Sequence, residues 1–168
     1  MLEGLATRRN FLARLSALIA GLFSWNARAT ALKEIPIAKS LLVEISLALK
    51  KASPLLVFIS LDHCPFCKIA RENYLVPLMN EQSVAVVQVN FGHLTSVTDT
   101  RGHALTQDQM IRAWGVKVAP TVLFLGRDGK EIAPRLVGGS TSDFYGAYLD
   151  ERLRLARTEI VRDQTGSK

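Results

Sequence analysis

The two cysteines of the chain lie close together, in the segment 62–68 (DHCPFCK). Pro65 suits the first turn of a helix, so the pattern predicts a helix start at this point. A helix N-terminus carries partial positive charge and unpaired N–H groups, which stabilise a thiolate. The spacing therefore favours dithiol–disulfide chemistry, with Cys64 as the exposed, attacking thiol and Cys67 as the shielded, resolving thiol.

Other uses of a cysteine pair fit this segment less well. A c-type haem attachment needs histidine directly after the second cysteine, and Lys68 stands there. A zinc site needs two further ligands, and the only histidines are His63, His93 and His103. A purely structural disulfide and two inert buried thiols remain as alternatives, although a bridge over so short a loop constrains the unfolded chain little. We expect neither a metal ion nor a cofactor.

His63 precedes the first cysteine and has two interpretations. When protonated it would stabilise the Cys64 thiolate and make the pair more oxidising. It would equally suit an exposed loop position with no chemical role.

The elements that position this motif follow from hydrophobic patterning. Residues 55–61 (LLVFISL) form a continuous apolar run, typical of a strand that is covered on both faces. Helical spacing is predicted over 35–51, and Pro77 is predicted to kink or interrupt the helix that starts at Pro65. Residues 84–91 read as the next strand.

The second half of the chain continues the alternation. Residues 92–106 predict a loop or small hairpin, after which Thr106 caps a short helix that runs through Trp114. Strands are predicted at 120–125 and 131–137, joined by the Asp-Gly turn at 127–130. A last helix begins at Ser142, with Phe144, Tyr148, Leu149 and Leu153 expected on one face. The order predicts an α/β fold, with a mixed central sheet of about four strands flanked by helices.

Composition bounds the function classes. With 168 residues, 48% hydrophobic and 21% charged, the chain suits one globular domain with a core. The net charge of +6 includes no Lys/Arg run longer than two, so we expect no nucleic-acid partner.

The first 29 residues are typical of an export signal. Arg8 and Arg9 precede a short apolar stretch over 15–25, which ends in the small-x-small pattern before residue 30. The paired arginines with Phe-Leu resemble the twin-arginine signal. We expect residues 1–29 to be this signal and 30–168 to be the mature domain in the periplasm, where disulfides persist. Cleavage after Ala31, an uncleaved anchor and an amphipathic helix of the folded body are the alternatives.

Taken together, the motifs resemble the thioredoxin superfamily over residues 36–158. The strand at 55–61 followed by CPFC matches the family's opening, and residues 114–124 (WGVKVAPTVLF) match its segment around a cis-proline. The resemblance implies a thioredoxin-like fold in which Pro120 is cis and faces the two sulfurs. A cis X-Pro bond costs little, about 0.5–1 kcal/mol.

The same resemblance implies a substrate-binding set, in which the backbone of Val118 and Ala119 pairs with an extended substrate by β-augmentation. The other expected members are His63, Pro65, Phe66 and Pro120. The sequence departs from the family's pattern at three points. The cysteines enclose Pro-Phe instead of Gly-Pro, Phe58 takes the place of a buried acid, and the 92–106 segment is longer. That segment is similar to periplasmic thioredoxin-like proteins, including those that accompany sulfur-oxidation systems.

We therefore expect an exported thiol–disulfide oxidoreductase, in which reduction of partner proteins is favoured over oxidation. Its partners would be protein thiols or disulfides and a soluble or membrane protein that recycles the cysteines. We expect a monomer that meets the membrane only through an uncleaved signal. The alternatives are a non-catalytic peptide-binding or chaperone module that uses the cis-proline groove, and a dedicated reductant of apocytochrome cysteines.

Overall fold

The structure is a computed structural model, which describes residues 34–139 and 142–165. The segment 1–29, with the predicted export signal, lies outside the described residues. Within the described part, no helix has both the length and the apolar character needed to cross a membrane.

In chain order the elements are α1 (Leu41–Leu49), β1 (Leu55–Ser60), α2 (Pro65–Ala70), a π-helical turn (Arg71–Leu75), α3 (Val76–Glu81), β2 (Ala85–Asn90), β3 (Ser96–Thr98), β4 (Ala104–Thr106), α4 (Gln107–Ala113), β5 (Thr121–Leu125), a 3₁₀ turn (Arg127–Gly129), β6 (Glu131–Val137) and α5 (Ser142–Thr165).

A mixed four-stranded sheet forms the centre of the domain, with the strand order β2-β1-β5-β6. β1 pairs in parallel with β2 and antiparallel with β5, and β5 pairs antiparallel with β6. β3 and β4 form a separate small hairpin. These features confirm the predicted α/β fold with a mixed sheet of about four strands and flanking helices.

The two faces of the sheet are covered by different helices, which explains the continuous apolar run in β1. Leu56 and Phe58 pack into one buried cluster with residues of α2, α3 and α5. Leu55, Val57 and Ile59 pack into the other cluster, with residues of α1 and α4. Successive strand side chains point to opposite faces. All six residues of β1 are therefore buried, and the site-bearing strand is held from both sides.

The first predicted helix is shorter than its periodicity suggested. Residues 35–40 are not helical. Instead, Gln88 N–H donates to the carbonyl of Pro36 at 2.8 Å and Ala38 N–H donates to the carbonyl of Gln88 at 2.9 Å. A proline disfavours the helical backbone conformation at the residue before it, so the chain enters this segment in an extended conformation. The apolar residues at 35 and 38 are buried beside β2 before α1 begins at Leu41.

Pro77 does not end the helix that starts at Pro65. A single π-helical turn, Arg71–Leu75, precedes it, and Val76 N–H donates to the carbonyl of Arg71. Proline lacks an N–H and cannot make the helical bond four residues back. The wider turn shifts the hydrogen-bond register at this point, so the chain remains helical through Glu81.

The predicted apolar face of the last helix is wrong in two of its four members. Phe144 is 61% exposed and Tyr148 48% exposed, and their rings lie 6.5 Å apart on the surface. The buried stripe consists of Tyr145, Leu149, Leu153, Ala156 and Ile160. Residues spaced by three or four share a helix face, and one position of displacement turns a side chain by about 100°. The sheet selected the stripe that begins at Tyr145.

Candidate active site

The CPFC segment lies where β1 passes into α2. Cys64 is the N-cap of α2, and Pro65 is its first residue. Cys64 and Cys67 form a disulfide across a Cα–Cα distance of 5.2 Å. The N–H of Cys67 donates to Cys64 Sγ at 3.1 Å. One turn of helix thus holds the two sulfurs together and aims a backbone donor at the first of them.

The two cysteines differ in accessibility. Cys64 is half-buried, whereas Cys67 is 1% exposed and belongs to the core cluster that also contains Phe58. Pro65 and Phe66, between them, are exposed. Cys64 is therefore the more accessible of the two cysteines. The sequence predicted this order of accessibility, although it placed Cys64 as exposed and the structure has it half-buried.

The three histidines have different surroundings. His63 is exposed and has φ +56°, a backbone conformation that few side chains other than glycine adopt. His93 Nε2 lies 2.9 Å from Asp62 Oδ2, and this hydrogen bond lowers the pKa of the Asp62 carboxyl. His103 pairs with Asp99 at 3.2 Å. Among the described residues no group of three or more His, Cys, Asp or Glu side chains is arranged to hold a metal ion.

The second half of the site is the segment before β5. The Ala119–Pro120 peptide bond is cis, and Pro120 is buried. The carbonyl of Val118 accepts a hydrogen bond from Thr121 Oγ1 at 2.7 Å, and the carbonyl of Pro120 accepts one from Gly138 N–H at 2.8 Å. Val118 is 46% exposed, while Ala119 packs against the same core cluster as Cys67.

Gly139 connects the two halves and was not singled out by sequence reasoning. A Cβ at this position would lie 3.3 Å from both Phe66 Cβ and Pro120 Cγ. Phe66 of the motif and Pro120 of the cis segment therefore flank the same glycine. The Gly-Gly pair at 138–139, just after β6, is the sequence signal from which this close approach could have been predicted.

A polar network beneath the site was also missed. Arg71 donates through Nη2 to Ser60 Oγ at 2.9 Å and through Nε to Gln88 Oε1 at 3.0 Å. Gln88 Nε2 donates to Asn90 Oδ1 at 2.7 Å, and Asn90 N–H donates to Gln107 Oε1 at 2.7 Å. Ser60, Asn90 and Gln107 are buried. The network joins the end of β1, directly before the motif, to the end of β2 and the start of α4.

Comparison with known proteins places the chain within a family. A family model described as a thioredoxin-like domain matches residues 42–152. Solved structures with a similar fold include oxidised mitochondrial thioredoxin 3 from Saccharomyces cerevisiae, at 18% identity and a TM-score of 0.47, covering 71% of this chain and 93% of that one. Another is oxidised thioredoxin O2 from Arabidopsis thaliana, at 18% identity and a TM-score of 0.46, covering 71% and 95%. A third is Trxlp from Edwardsiella tarda EIB202, at 24% identity and a TM-score of 0.43, covering 67% and 95%. No curated protein matches the sequence.

Proposed function

Since the chain belongs to the family of thioredoxin-like domains, we propose that it is an exported thiol–disulfide oxidoreductase that reduces disulfides of partner proteins through Cys64 and Cys67. The observation that carries the proposal is the difference between the two sulfurs. Cys64 is half-buried and its Sγ accepts a backbone N–H bond, whereas Cys67 is enclosed by the core one helical turn away.

The reaction needs no group beyond the two thiols and those of the partner. In the reduced protein the Cys64 thiolate attacks one sulfur of a partner disulfide, which breaks that bond and releases one partner thiolate. The Cys67 thiol then gives its proton to water or to the partner thiolate already released, and its sulfur attacks Cys64 Sγ in the mixed disulfide. This step forms the Cys64–Cys67 disulfide and releases the second partner thiolate. Two electrons pass to the partner, and the protein is left in the oxidised form that the structure describes.

The local geometry supports the two roles. The N–H of Cys67 points at Cys64 Sγ and would stabilise a thiolate there, because hydrogen bonds to ionised groups are stronger than neutral ones. The buried position of Cys67 protects the resolving thiol from a second partner. The exposed Phe66 and Val118 and the backbone at 118–119 would receive an extended segment of the substrate.

Single-cysteine variants test this assignment. We expect Cys67→Ser to accumulate a mixed disulfide with a protein substrate, because the resolving thiol is missing. Cys64→Ser is the matched control and should form no such adduct, because its remaining thiol is buried. Equal trapping by both variants would contradict the assigned roles. Full biological activity of Cys64→Ser would instead favour a peptide-binding module without turnover.

The reduction potential decides the direction of the chemistry. After equilibration with glutathione buffers, a value near about −270 mV would make the protein a reductant that needs an electron supply, and one near about −120 mV a disulfide donor. A cysteine pair that glutathione cannot cycle would refute the oxidoreductase assignment.

The export part of the proposal rests on the pattern of residues 1–29. Fusion of residues 1–35 to a reporter that functions only outside the cytoplasm should yield activity. Replacing Arg8 and Arg9 with lysines in the same fusion should abolish export if the twin-arginine route is used. A fusion that stays in the cytoplasm would remove the periplasmic location.

A further inference from the structure

Arg71 carries a positive charge near the active-site turn and takes no part in the thiol–disulfide exchange itself. The residue is half-buried, and both of its side-chain hydrogen bonds go to neutral groups, Ser60 Oγ and Gln88 Oε1. Its Cζ lies 5.5 Å from the centre of the Phe58 ring. Arginine stays protonated in proteins, so this is a permanent positive charge.

No carboxylate within salt-bridge distance compensates this charge in the part of the chain that the structure describes. Asp62 is near enough for Arg71 to contribute to lowering its pKa, but the largest cause of that shift is the hydrogen bond from His93. The exposed carboxylate of Asp62 thus offsets part of the Arg71 charge without forming an ion pair with it. Partly desolvated charges are costly unless an opposite charge stabilises them.

Arg71 belongs to the same surface cleft as the reacting cysteine. Arg71 and Cys64 line one surface cleft of about 380 Å³. The other charged or titratable side chains of the cleft are Asp62, His63, Lys68 and Glu72, all exposed to solvent. Water and salt screen these exposed groups, whereas the anchored guanidinium of the half-buried Arg71 keeps more of its field. The N–H of Arg71 also donates to the carbonyl of Cys67, which fixes the residue one turn beyond the motif.

We propose that Arg71 is a positioning residue that holds a fixed positive charge in the cleft lined by Cys64, stabilises the thiolate in the reduced protein and thereby raises the reduction potential of the pair. The inference rests on the proposed function. The half-reaction is the Cys64–Cys67 disulfide plus two electrons and one proton, giving the Cys64 thiolate and the Cys67 thiol. The disulfide is neutral and gains nothing from the guanidinium, so only the reduced side is favoured.

Two neutralising variants test the charge. Arg71→Gln removes it, and Gln88→Glu keeps Arg71 but places a carboxylate on its Nε, at the cost of the bond from Gln88 to Asn90. An opposite charge within about 4–6 Å shifts a titration by about 1–3 pH units, and we take the lower end because Arg71 is only half-buried and Asp62 offsets part of its charge. In either variant the midpoint of the 240 nm thiolate absorbance of Cys64 should rise by about one pH unit. At pH 8 the equilibrium constant with glutathione should change about tenfold toward the disulfide, a potential lower by about 30 mV.

Two further variants separate charge from structure. Arg71→Lys keeps the charge but not the two-point anchor, so it should retain a midpoint within a few tenths of a unit of the wild type. Lys68→Met removes an exposed cation of the same cleft and should have a smaller effect, which added salt suppresses. A purely structural role predicts instead that Arg71→Lys shifts the midpoint as far as Arg71→Gln does.

The outcomes distinguish this inference from the proposed function. If the wild type cycles with glutathione but Arg71→Gln and Gln88→Glu leave both the midpoint and the equilibrium unchanged, the role of Arg71 is refuted and the oxidoreductase stands. Should Arg71→Gln fail to fold, Gln88→Glu and Arg71→Lys decide alone. If the wild type does not cycle, the proposed function itself fails.

Discussion

Gln107 offers the sharpest test of the network beneath the active site. Its side chain is 1% exposed, and its Oε1 accepts the N–H of Asn90 at 2.7 Å. Replacing it with leucine keeps a similar volume but leaves that buried N–H without an acceptor. An unsatisfied buried donor costs about 1–3 kcal/mol, and the apolar side chain recovers part of this. We expect Gln107→Leu to lower the free energy of unfolding by about 1–2 kcal/mol.

The same helix provides a matched control. Gln109 Oε1 accepts the N–H of Thr106 at 2.8 Å, but at an exposed position. Water replaces the lost acceptor there, so Gln109→Leu should cost only about 0.5 kcal/mol, or half the typical net value of a hydrogen bond. Urea unfolding of the oxidised protein, followed by far-ultraviolet circular dichroism, measures both variants. Equal costs for the two, or no cost for Gln107→Leu, would refute the argument from buried hydrogen-bond satisfaction.

Three other perturbations have defined outcomes. Gly139→Ala places a methyl group 3.3 Å from Phe66 Cβ. We expect the free energy of unfolding in urea to fall by about 1 kcal/mol and the reduction of a protein substrate to slow. An unchanged rate of substrate reduction would contradict the close contact. The His93 hydrogen bond lowers the pKa of Asp62, so ionised Asp62 contributes stability above about pH 4 and loses it as the pH falls through the lowered value. The stability difference between the wild type and Asp62→Asn should therefore shrink as the pH falls below about 4, and a difference that stays constant or grows between about pH 4 and pH 2.5 would contradict this sign. Thr106→Ala removes the helix cap and should cost about 1 kcal/mol in the same unfolding assay, whereas Thr106→Ser should cost little.

Much of the fold was predictable because its signals are local. The apolar run at 55–61, the Asp-Gly turn at 127–130 and the capping residue Thr106 each act within a few residues, and the structure has a strand, a turn and a helix start at these places. The relative exposure of Cys64 and Cys67 was equally predictable from the sequence. A helix start exposes its cap and buries the residue three positions later on the core side.

The errors came where two local patterns compete or where pairing is distant. In α5, two overlapping apolar stripes are present, and contact with the sheet selected the one that contains Tyr145 over the one with Phe144 and Tyr148. At residues 35–40 helical spacing was present, but backbone pairing with Gln88 holds the segment extended. The choice in α5 is not decided by the residues of the helix alone, and at residues 35–40 the distant pairing adds to the local effect of Pro36.

The sequence by itself determined the order of the elements and the chemistry of the cysteine pair, since side-chain period, proline and cap residues act on the nearest turn or strand. Only the tertiary structure decided what surrounds the sulfurs. Parallel pairing of β1 with β2 brings Gln88 to Ser60 and Arg71, and the return of β6 brings Gly139 between Phe66 and Pro120. These contacts join residues 11 to 73 positions apart in the sequence. Closing such loops depends on the energy of the whole core and not on any local preference.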